Sequence, residues 1–558
     1  MPTRPHGSDG LPFPIVATSD DGRDQHARPN YWTRRAVLGG IVAVPVVAVA
    51  WSIEQALDPS SSGGKPATSG TPHDEAHPDS GTATGTRRVT IAEENARPGS
   101  ADWAVTQDPT AWDKVRGFAS RTSVAPGESF QLYVGTSAAH YTITAYRMGH
   151  YGGLGGRKVW TSGKLPGQVQ AAARTDHATN MRDAPWKPSI TITPDHHWVP
   201  GSYLFKLVSS DGGQSQIPLV VRDDERPAVA HIQHDVTTWQ AYNKWGGASL
   251  YEGVNGRSQK VSFDRPYDLS GSGNFLGGVH EISALVESLG YEVTYSTSLD
   301  THARPHDASR YKVWISPAHD EYWSLEMRNG VEAARDKGVN LMFLGANCMY
   351  RRIRLEPSPL GPNRHEVNYR IAADDPLNGI DPQRVTTSWR EAPAARPESS
   401  VTGVFYESNP VKANMVIVDA EAWMFHGTGV RNGDQWFDLV GNEYDRVTPE
   451  VPTPHTIQVL AHSPVVCRGH HSFADMTYYT TPSGAGVFSA GSIWFERHLL
   501  PGSTGTDAQT VAMVKNLLRV FTKAPAGHTH PAVTNLRALG IHAGYLPTNW
   551  GELGPGAR

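Results

Sequence analysis

Short segments of alternating hydrophobic and polar residues fill the first folded part of the chain. Five of them read SFQLYVGT, YTITAYRM, SITITPD, SYLFKLVSS and QIPLVVRD, and clusters of turn-forming residues separate them. A period of two residues predicts half-buried β-strands. We therefore predict an immunoglobulin-like β-sandwich over residues 89–224. The glycine-rich stretch GHYGGLGGRKV inside it follows a strand without opening a helix, so it indicates a hairpin loop rather than a dinucleotide-binding loop.

The hydrophobic pattern changes after the segment RDDERP. A strand, AVAHIQ, ends at His234, and a helical pattern from Leu276 stops at Gly290. Strands YEVTYST, YKVWIS and VNLMFLG follow, with a helix over 324–337 between the last two. Strands that alternate with helices predict a parallel sheet covered on both faces. We expect a flavodoxin-like, doubly wound α/β domain of the class I glutamine amidotransferase type over residues 225–524.

The later part of that domain is less regular. Its predicted strands are ANMVIVD, HTIQVLA, DMTYYTT and AGVFSAG, and a closing helix is predicted over 507–521. The Pro/Gly-rich residues 525–558 are interpreted as a tail.

The N-terminus has the pattern of an export signal. Arg34 and Arg35 precede an apolar run that ends in Ala48-Val49-Ala50, a motif that a signal peptidase could cut. We predict a twin-arginine signal region over residues 1–57, either cleaved or retained as a membrane anchor, and an extracellular or cell-envelope location. Residues 58–88 are rich in Ser, Gly, Thr and Pro, which predicts a disordered linker.

Composition narrows the function classes. With 38% hydrophobic residues, 19% charged residues and a net charge of -5, the chain has no strong attraction to nucleic acid. The two cysteines, Cys348 and Cys467, exclude a disulfide framework and a Cys-rich zinc site.

Polar side chains follow three predicted parallel strands. Tyr242 comes after AVAHIQ, His319 and Glu321 come after YKVWIS, and Asn347 comes after VNLMFLG. Ligands of open α/β sheets bind beyond the carboxyl ends of the strands, so we expect these residues to face one crevice. Taken singly, Tyr242 could only pack, Glu321 could cap a helix and His319 could bond a backbone carbonyl. Their convergence after separate strands favours a site.

Cys348 suggests a different chemistry, because class I glutamine amidotransferases place a nucleophilic cysteine at a strand-to-helix elbow. Here Asn347 occupies the third position after Gly345, and Cys348 comes one residue later. A shift of one residue redirects the side chain, so the pattern disfavours a cysteine nucleophile.

Several motifs, in order, resemble the large (β) subunit of N,N-dimethylformamidase and its family. They are YRMGHYGG, TTWQAYNKWGGASLY, VSFDRPY, HDEYWS, NLMFLGANCMYRRIR and LVGNEYDR, and the resemblance covers roughly residues 90–525. In that family two tyrosinates and one glutamate hold an iron ion. The resemblance puts these ligands at Tyr242, Tyr267 and Glu321, with Tyr251 close to Tyr267 in the same segment. Such hard anionic donors suit a mononuclear Fe3+ ion.

The resemblance also implies an amidohydrolase mechanism. It places the catalytic residues at His319, Asn347 and Glu443, with metal-bound water as the nucleophile that attacks a small amide or another C-N bond. Glu443 would relay protons, unless it only forms a salt bridge with Arg446.

The family enzyme works with a small subunit, so the expected partners are a small-molecule substrate and either such a subunit or further copies of this chain. A membrane is expected to be contacted only through an uncleaved signal. The alternative is a non-catalytic exported protein that binds a cell-envelope or sugar ligand through its aromatic cleft.

Overall fold

The alternating segments form the first sheets of the protein. The computed structural model describes residues 87–105, 109–502 and 504–544, and Val89–Arg558 form a separate compact unit. The predicted signal region, residues 1–57, and all of the predicted linker except its last two residues lie outside the described residues. Both stay predictions. Within the described ranges, no helix is both long and apolar enough to cross a membrane.

Two β-sheets are built from the first part of the described chain. The helices are α1 (Ile91–Asn95) and α2 (Pro109–Asp113). The strands are β1 (Val115–Ala119), β2 (Ser123–Val124), β3 (Phe130–Thr136), β4 (His140–Met148), β5 (Gly156–Pro166), β6 (Arg174–Asp176), β7 (Met181–Asp183), β8 (Ile190–Ile192), β9 (Gly201–Ser209) and β10 (Gln214–Val221). One sheet has the order β1-β3-β8 and the other β2-β10-β9-β4-β5, while β6 and β7 pair separately. Apolar residues of both sheets share one buried cluster that includes Leu132, Phe205 and Ile217.

The glycine-rich stretch is a hairpin loop, as predicted. It joins β4 to β5, which pair antiparallel. Gly152, Gly153 and Gly155 all have positive φ angles, between 63° and 92°. Residues with a Cβ rarely adopt such angles, which is why this tight loop is rich in glycine.

The second part of the chain alternates strands with helices. Its helices are α3 (Val236–Tyr242), α4 (His280–Ser288), α5 (Ser298–Ala303), α6 (Leu325–Asp336), α7 (Ser399–Thr402) and α8 (Gly505–Phe521), with a π-helical turn over Phe275–Val279. Its short 3-10 segments are Trp245–Gly247, Asp307–Arg310, Ala372–Asp374, Trp423–Phe425, Ile493–His498 and Ala526–His528, and one more, Tyr151–Gly153, lies in the β4–β5 hairpin of the first part. The strands are β11 (Ala230–His234), β12 (Lys260–Ser262), β13 (Val293–Thr297), β14 (Val313–Ser316), β15 (Tyr322–Ser324), β16 (Asn340–Phe343), β17 (Arg351–Ser358), β18 (Gly361–Val367), β19 (Thr387–Ser388), β20 (Phe405–Val416), β21 (Gln435–Arg446), β22 (Gln458–Cys467), β23 (His470–Thr480) and β24 (Gly486–Ser489).

A seven-stranded sheet forms the centre of this part, in the order β13-β11-β14-β16-β24-β23-β22. Its first five strands are parallel, and β23 and β22 join antiparallel. Because β11, β14 and β16 are neighbours, the loops that follow them lie at the same edge. The prediction of a mixed α/β and all-β protein is confirmed at this level. The closer likeness to immunoglobulin-like sandwiches and to class I glutamine amidotransferases stays a prediction.

Two smaller sheets accompany the central sheet. One has the order β12-β18-β17-β15, with β19 paired to β17, and the other is the hairpin of β20 and β21. Strand β15 begins directly after the loop that follows β14, and Tyr444 of β21 forms a bridge to Ser492, which comes just after β24. These contacts bring the added sheets to the edge where the parallel strands end.

Helix α8 closes the fold through its apolar face. Val511, Val514, Leu517 and Phe521 are buried at the three- and four-residue spacing of one helix face. The Asn340 amide donates to the carbonyls of Phe521 and Ala524, which fixes the end of the helix on the sheet. Residues 525–544 of the predicted tail also pack, because Ile541 is buried and Asn535 bonds both backbone groups of Val459.

A buried ion pair joins the β4–β5 hairpin to helix α4. The Arg147 guanidinium donates to both carboxylate oxygens of Glu287, and both side chains are fully buried. Tyr295 and Asn95 also donate to this carboxylate, each at 2.7 Å. Glu287 therefore connects α1, the first sheets and the α/β part.

We expect Glu287→Gln to lower the free energy of unfolding by about 3–5 kcal/mol, because it leaves the buried Arg147 charge without its counter-charge. Urea unfolding followed by circular dichroism measures this. Lys412→Gln breaks an exposed pair with Asp438 and is expected to cost about 1 kcal/mol or less. If both substitutions lowered the free energy of unfolding equally, the buried pair would contribute no more to stability than the exposed one.

Candidate active site

The loop after β14 carries His319 and Glu321 and is held from three sides. The Glu321 amide donates to Oγ1 of Thr238 on α3 at 2.9 Å, and its carbonyl accepts from the Arg351 amide of β17 at 2.8 Å. Asp320, between the two site residues, accepts hydrogen bonds from Gln233 of β11 and from Ser316. The side chains of His319 and Glu321 are thus held at the end of β11 and β14.

The loop after β16 packs tightly against this first loop. A Cβ atom at Gly345 would collide with the carbonyl oxygen of Ala318, so only glycine allows the two backbones to come so close. Asn347, two residues later, has a φ of 55°, a left-handed conformation that asparagine tolerates better than most residues. Its backbone amide donates to Asp445 of β21 at 2.8 Å.

Two phenols and one carboxylate meet beside these loops. The Tyr242 and Tyr251 hydroxyls each donate to Oε2 of Glu321 at 2.8 Å. The two rings stack with their centroids 4.2 Å apart, and the Tyr322 hydroxyl donates to that of Tyr251 at 2.9 Å. Glu321 itself is only 2% exposed. Three oxygen donors therefore converge in a buried position.

Tyr267, the second tyrosine predicted as a ligand, does not join this cluster. The chain after α3 folds back on that helix, because the Leu250 amide donates to the Ala241 carbonyl, and this places Tyr251 against Tyr242. Tyr267 lies after β12, where its ring contacts Trp239 and lines a cavity against the first sheets. Its carbonyl accepts from Arg116 of β1. The prediction of Tyr267 beside Glu321 is corrected to Tyr251.

A second polar group lies next to the phenols. His319 Nε2 is 3.4 Å from Oε2 of Glu321, 3.6 Å from Oε2 of Glu443 and 3.4 Å from the Asn347 amide nitrogen. That amide nitrogen donates to Oε2 of Glu443 at 2.8 Å. The structure thus brings together Tyr242, His319, Glu321, Asn347 and Glu443, which the sequence places on four separate segments.

The alternative explanations for two of these residues do not hold in the structure. Ser324, not Glu321, caps helix α6, because its side chain accepts from the Met327 amide. Glu443 does not bond Arg446, which pairs with Glu407. Residues three apart on a strand point to opposite faces, which separates Glu443 from Arg446.

Burial and mutual charge shift the pKa values in this site. Burial first, and then the Glu321 carboxylate, raise the pKa of Tyr242 and of Tyr251 well above the usual range. The same two causes raise the pKa of Glu443, while the hydrogen bond from Asn347 opposes them. Burial and the Glu321 charge therefore favour the protonated forms of the two phenols and of Glu443, and a bound cation would oppose this effect.

Cys348 lies beside this site but is poorly suited to be a nucleophile. It is buried, and burial raises the pKa of its thiol well above the usual value. A reactive cysteine needs a lowered pKa, so the structure agrees with the expectation that the cysteine is unreactive.

The donor chemistry of the phenol cluster fits a hard, highly charged cation. Two phenols and a carboxylate supply three oxygens that become anionic when the phenols lose their protons. Among the described residues, His, Cys, Asp and Glu side chains alone form no group of three that could hold a metal ion. A metal at this site would therefore depend on Tyr242 and Tyr251.

The fold and these strand-end residues define an α/β protein with a buried site of phenols and carboxylates. The family model described as N,N-dimethylformamidase beta subunit-like, C-terminal, matches residues 142–507, more than half of the chain. The chain belongs to this N,N-dimethylformamidase beta subunit-like family, and this membership indicates a hydrolase of amides. A comparison with curated proteins found no match.

Three residues at the site were not selected from the sequence. Tyr251, Tyr322 and Arg351 all lie within motifs that carried the family resemblance. Tyr322 directly follows Glu321 in the sequence, and Arg351 follows the loop that carries Asn347, so both positions could have been chosen as candidates. Their roles depend on loop geometry that no spacing rule predicts.

Proposed function

We propose that this protein is an iron-dependent hydrolase of small amides or related C-N bonds. One observation carries the proposal: two phenols and a carboxylate converge on one position, and His319, Asn347 and Glu443 lie directly beside it. The family membership supports the reaction class.

Tyr242, Tyr251 and Glu321 would hold the iron in this proposal. A trivalent ion suits three hard oxygen donors better than a soft ion would. Iron held there would supply a Lewis acid that polarises a carbonyl oxygen or lowers the pKa of a water molecule. Tyr322, which donates to the Tyr251 hydroxyl, would orient that phenol.

The neighbouring side chains have the chemistry that amide hydrolysis needs. The Asn347 amide and the His319 ring are nitrogen donors that could stabilise negative charge developing on a carbonyl oxygen. Glu443 is a buried carboxyl with a raised pKa, so it can hold a proton and pass it to the leaving amine nitrogen. The close loops after β14 and β16 keep these donors in fixed positions, which lowers the cost of organising the transition state.

Metal analysis combined with an absorption spectrum tests this proposal. Protein expressed with ample iron is expected to contain about one iron ion per chain, because each chain has one set of three oxygen ligands. It is also expected to absorb visible light through its tyrosinate ligands. Hydrolysis of formamides is then measured through the amount of amine released. A colourless, iron-free protein that releases no amine would overturn the proposal and favour a non-catalytic binding protein.

The setting of the protein is proposed in addition. We infer export by the twin-arginine route from Arg34 and Arg35, which precede the apolar run within residues 1–57. That route accepts folded proteins, so it would allow metal loading before export. A glutamine amidotransferase-like sheet and an immunoglobulin-like sandwich are proposed as the finer fold class. Fractionation of producing cells and sizing of the purified protein test the location and the presence of a small subunit or further copies.

A further inference from the structure

Arg351 has an unusual position at the edge of the site. Its Nε atom lies 3.5 Å from Oε1 of Glu321, the carboxylate oxygen that faces away from the two phenols. Its guanidinium lies over the ring of Tyr350, 4.6 Å from the centroid. The side chain is 15% exposed, so part of it is open to solvent or to a ligand.

The hydrogen-bonding capacity of Arg351 is unused. None of the residues that the structure describes accepts a hydrogen bond from its guanidinium, and its Nε is buried without such a partner. A guanidinium has five N–H donors in a fixed planar fork. Leaving them unbonded is costly unless a ligand or water supplies the acceptors.

Two neighbouring arginines differ from Arg351 in this respect. Arg390 lies 4.7 Å from the centroid of the same Tyr350 ring, but it is paired with the buried carboxylate of Glu398. Arg257 donates to the backbone carbonyls of Asn368 and Tyr369. Their donors form hydrogen bonds inside the protein, whereas Arg351 forms an ion pair with Glu321 at 3.5 Å and donates no hydrogen bond to the described residues.

The surroundings of Arg351 belong to the active site. The Tyr350 ring contacts Tyr406 at a centroid distance of 5.3 Å. Burial, and then the Glu443 and Glu321 carboxylates, raise the pKa of Tyr406, so that phenol lies near both site carboxylates. Arg351, Tyr350 and Tyr406 thus form one wall beside the reacting groups.

The charge balance favours an anion at this wall. A trivalent cation would cancel the three negative charges of two phenolates and Glu321, and the Glu321 carboxylate would then no longer balance the charge of Arg351. A guanidinium with open donors matches a carboxylate, which it binds through two parallel hydrogen bonds. Neutral amides alone would leave this charge unused.

We propose that the substrates are amides that also carry a carboxylate, and that Arg351 binds this carboxylate while the C-N bond lies at His319 and Glu443. This inference rests on the proposed function and names its substrate class. N-acyl amino acids with small acyl groups have the required chemistry, because a carboxylate lies close to their amide bond.

Matched substrates test the proposal. N-formylglycine and N-methylformamide share the formamide group, and only the first carries a carboxylate. We expect kcat/KM to be roughly 10- to 100-fold higher for N-formylglycine, the range that charged hydrogen bonds provide. Arg351→Gln is expected to remove most of this preference, and Arg351→Lys to retain part of it because it keeps the charge without the fork.

One further measurement, with a control variant, separates this inference from the hydrolase proposal. Calorimetry on iron-loaded Glu443→Gln protein, which is expected to turn over slowly, measures binding of N-formylglycine, and adding Arg351→Gln is expected to abolish this binding. Lys412→Gln, which removes an exposed positive charge, is the control and should change neither binding nor preference. Binding that depends on Arg351 without hydrolysis of either amide would overturn the hydrolase proposal alone. Equal kcat/KM values for both amides, or equal losses for both in Arg351→Gln, would overturn the substrate class.

Discussion

Tyr251→Phe is expected to yield a protein without bound iron and without visible absorption, whereas Tyr267→Phe is expected to keep both. Tyr251 donates to Glu321 beside Tyr242, and Tyr267 lies against Trp239. Removing one of three protein ligands leaves too few donors for a hard trivalent ion. Iron content and the absorption spectrum of the two purified variants decide between the tyrosines.

A third variant shows whether the effect depends on direct contact with the metal. Tyr322→Phe removes only the hydroxyl that donates to Tyr251. Loss of such an outer partner typically lowers metal affinity by about 10- to 100-fold, so we expect a coloured protein that loses iron to a chelator more readily. Colour lost in Tyr267→Phe and kept in Tyr251→Phe would show that the phenol cluster is not the metal site.

The choice between these tyrosines marks the limit of what the sequence predicts. Tyr251 and Tyr267 follow Tyr242 in one segment, and both lie in motifs of the family resemblance. Only the turn that bonds Leu250 to Ala241 brings Tyr251 back to the helix. Such a turn depends on contacts between backbone groups, which residue types alone do not specify.

The strand-end residues were easier to predict because they depend on a general rule. The alternation of apolar strands and helices indicated the parallel sheet, and the end of each strand located Tyr242, His319, Glu321 and Asn347. The sheet order then required β11, β14 and β16 to be neighbours, which the structure shows. Glu443 came only from the resemblance, because β21 lies outside the parallel sheet and no periodicity connects it to the site.

Glu443→Gln is expected to lower kcat by about 10²- to 10⁴-fold, the usual contribution of a positioned acid or base. Glutamine has nearly the same shape and can still accept the hydrogen bond from Asn347. It cannot take up or release a proton at neutral pH. Steady-state kinetics of amine release measure the loss, and the iron content should not change.

The stability of the same variant separates catalysis from folding. The folded-state pKa of Glu443 is raised, so ionisation costs folding free energy as pH rises above the ordinary carboxyl value toward the folded value. Glutamine avoids this cost, and metal-depleted Glu443→Gln should therefore unfold at the same or a higher urea concentration than the wild type at neutral pH. A variant that loses activity and stability together would indicate a structural role. A kcat within a few-fold of the wild type would exclude Glu443 as the proton-transfer group.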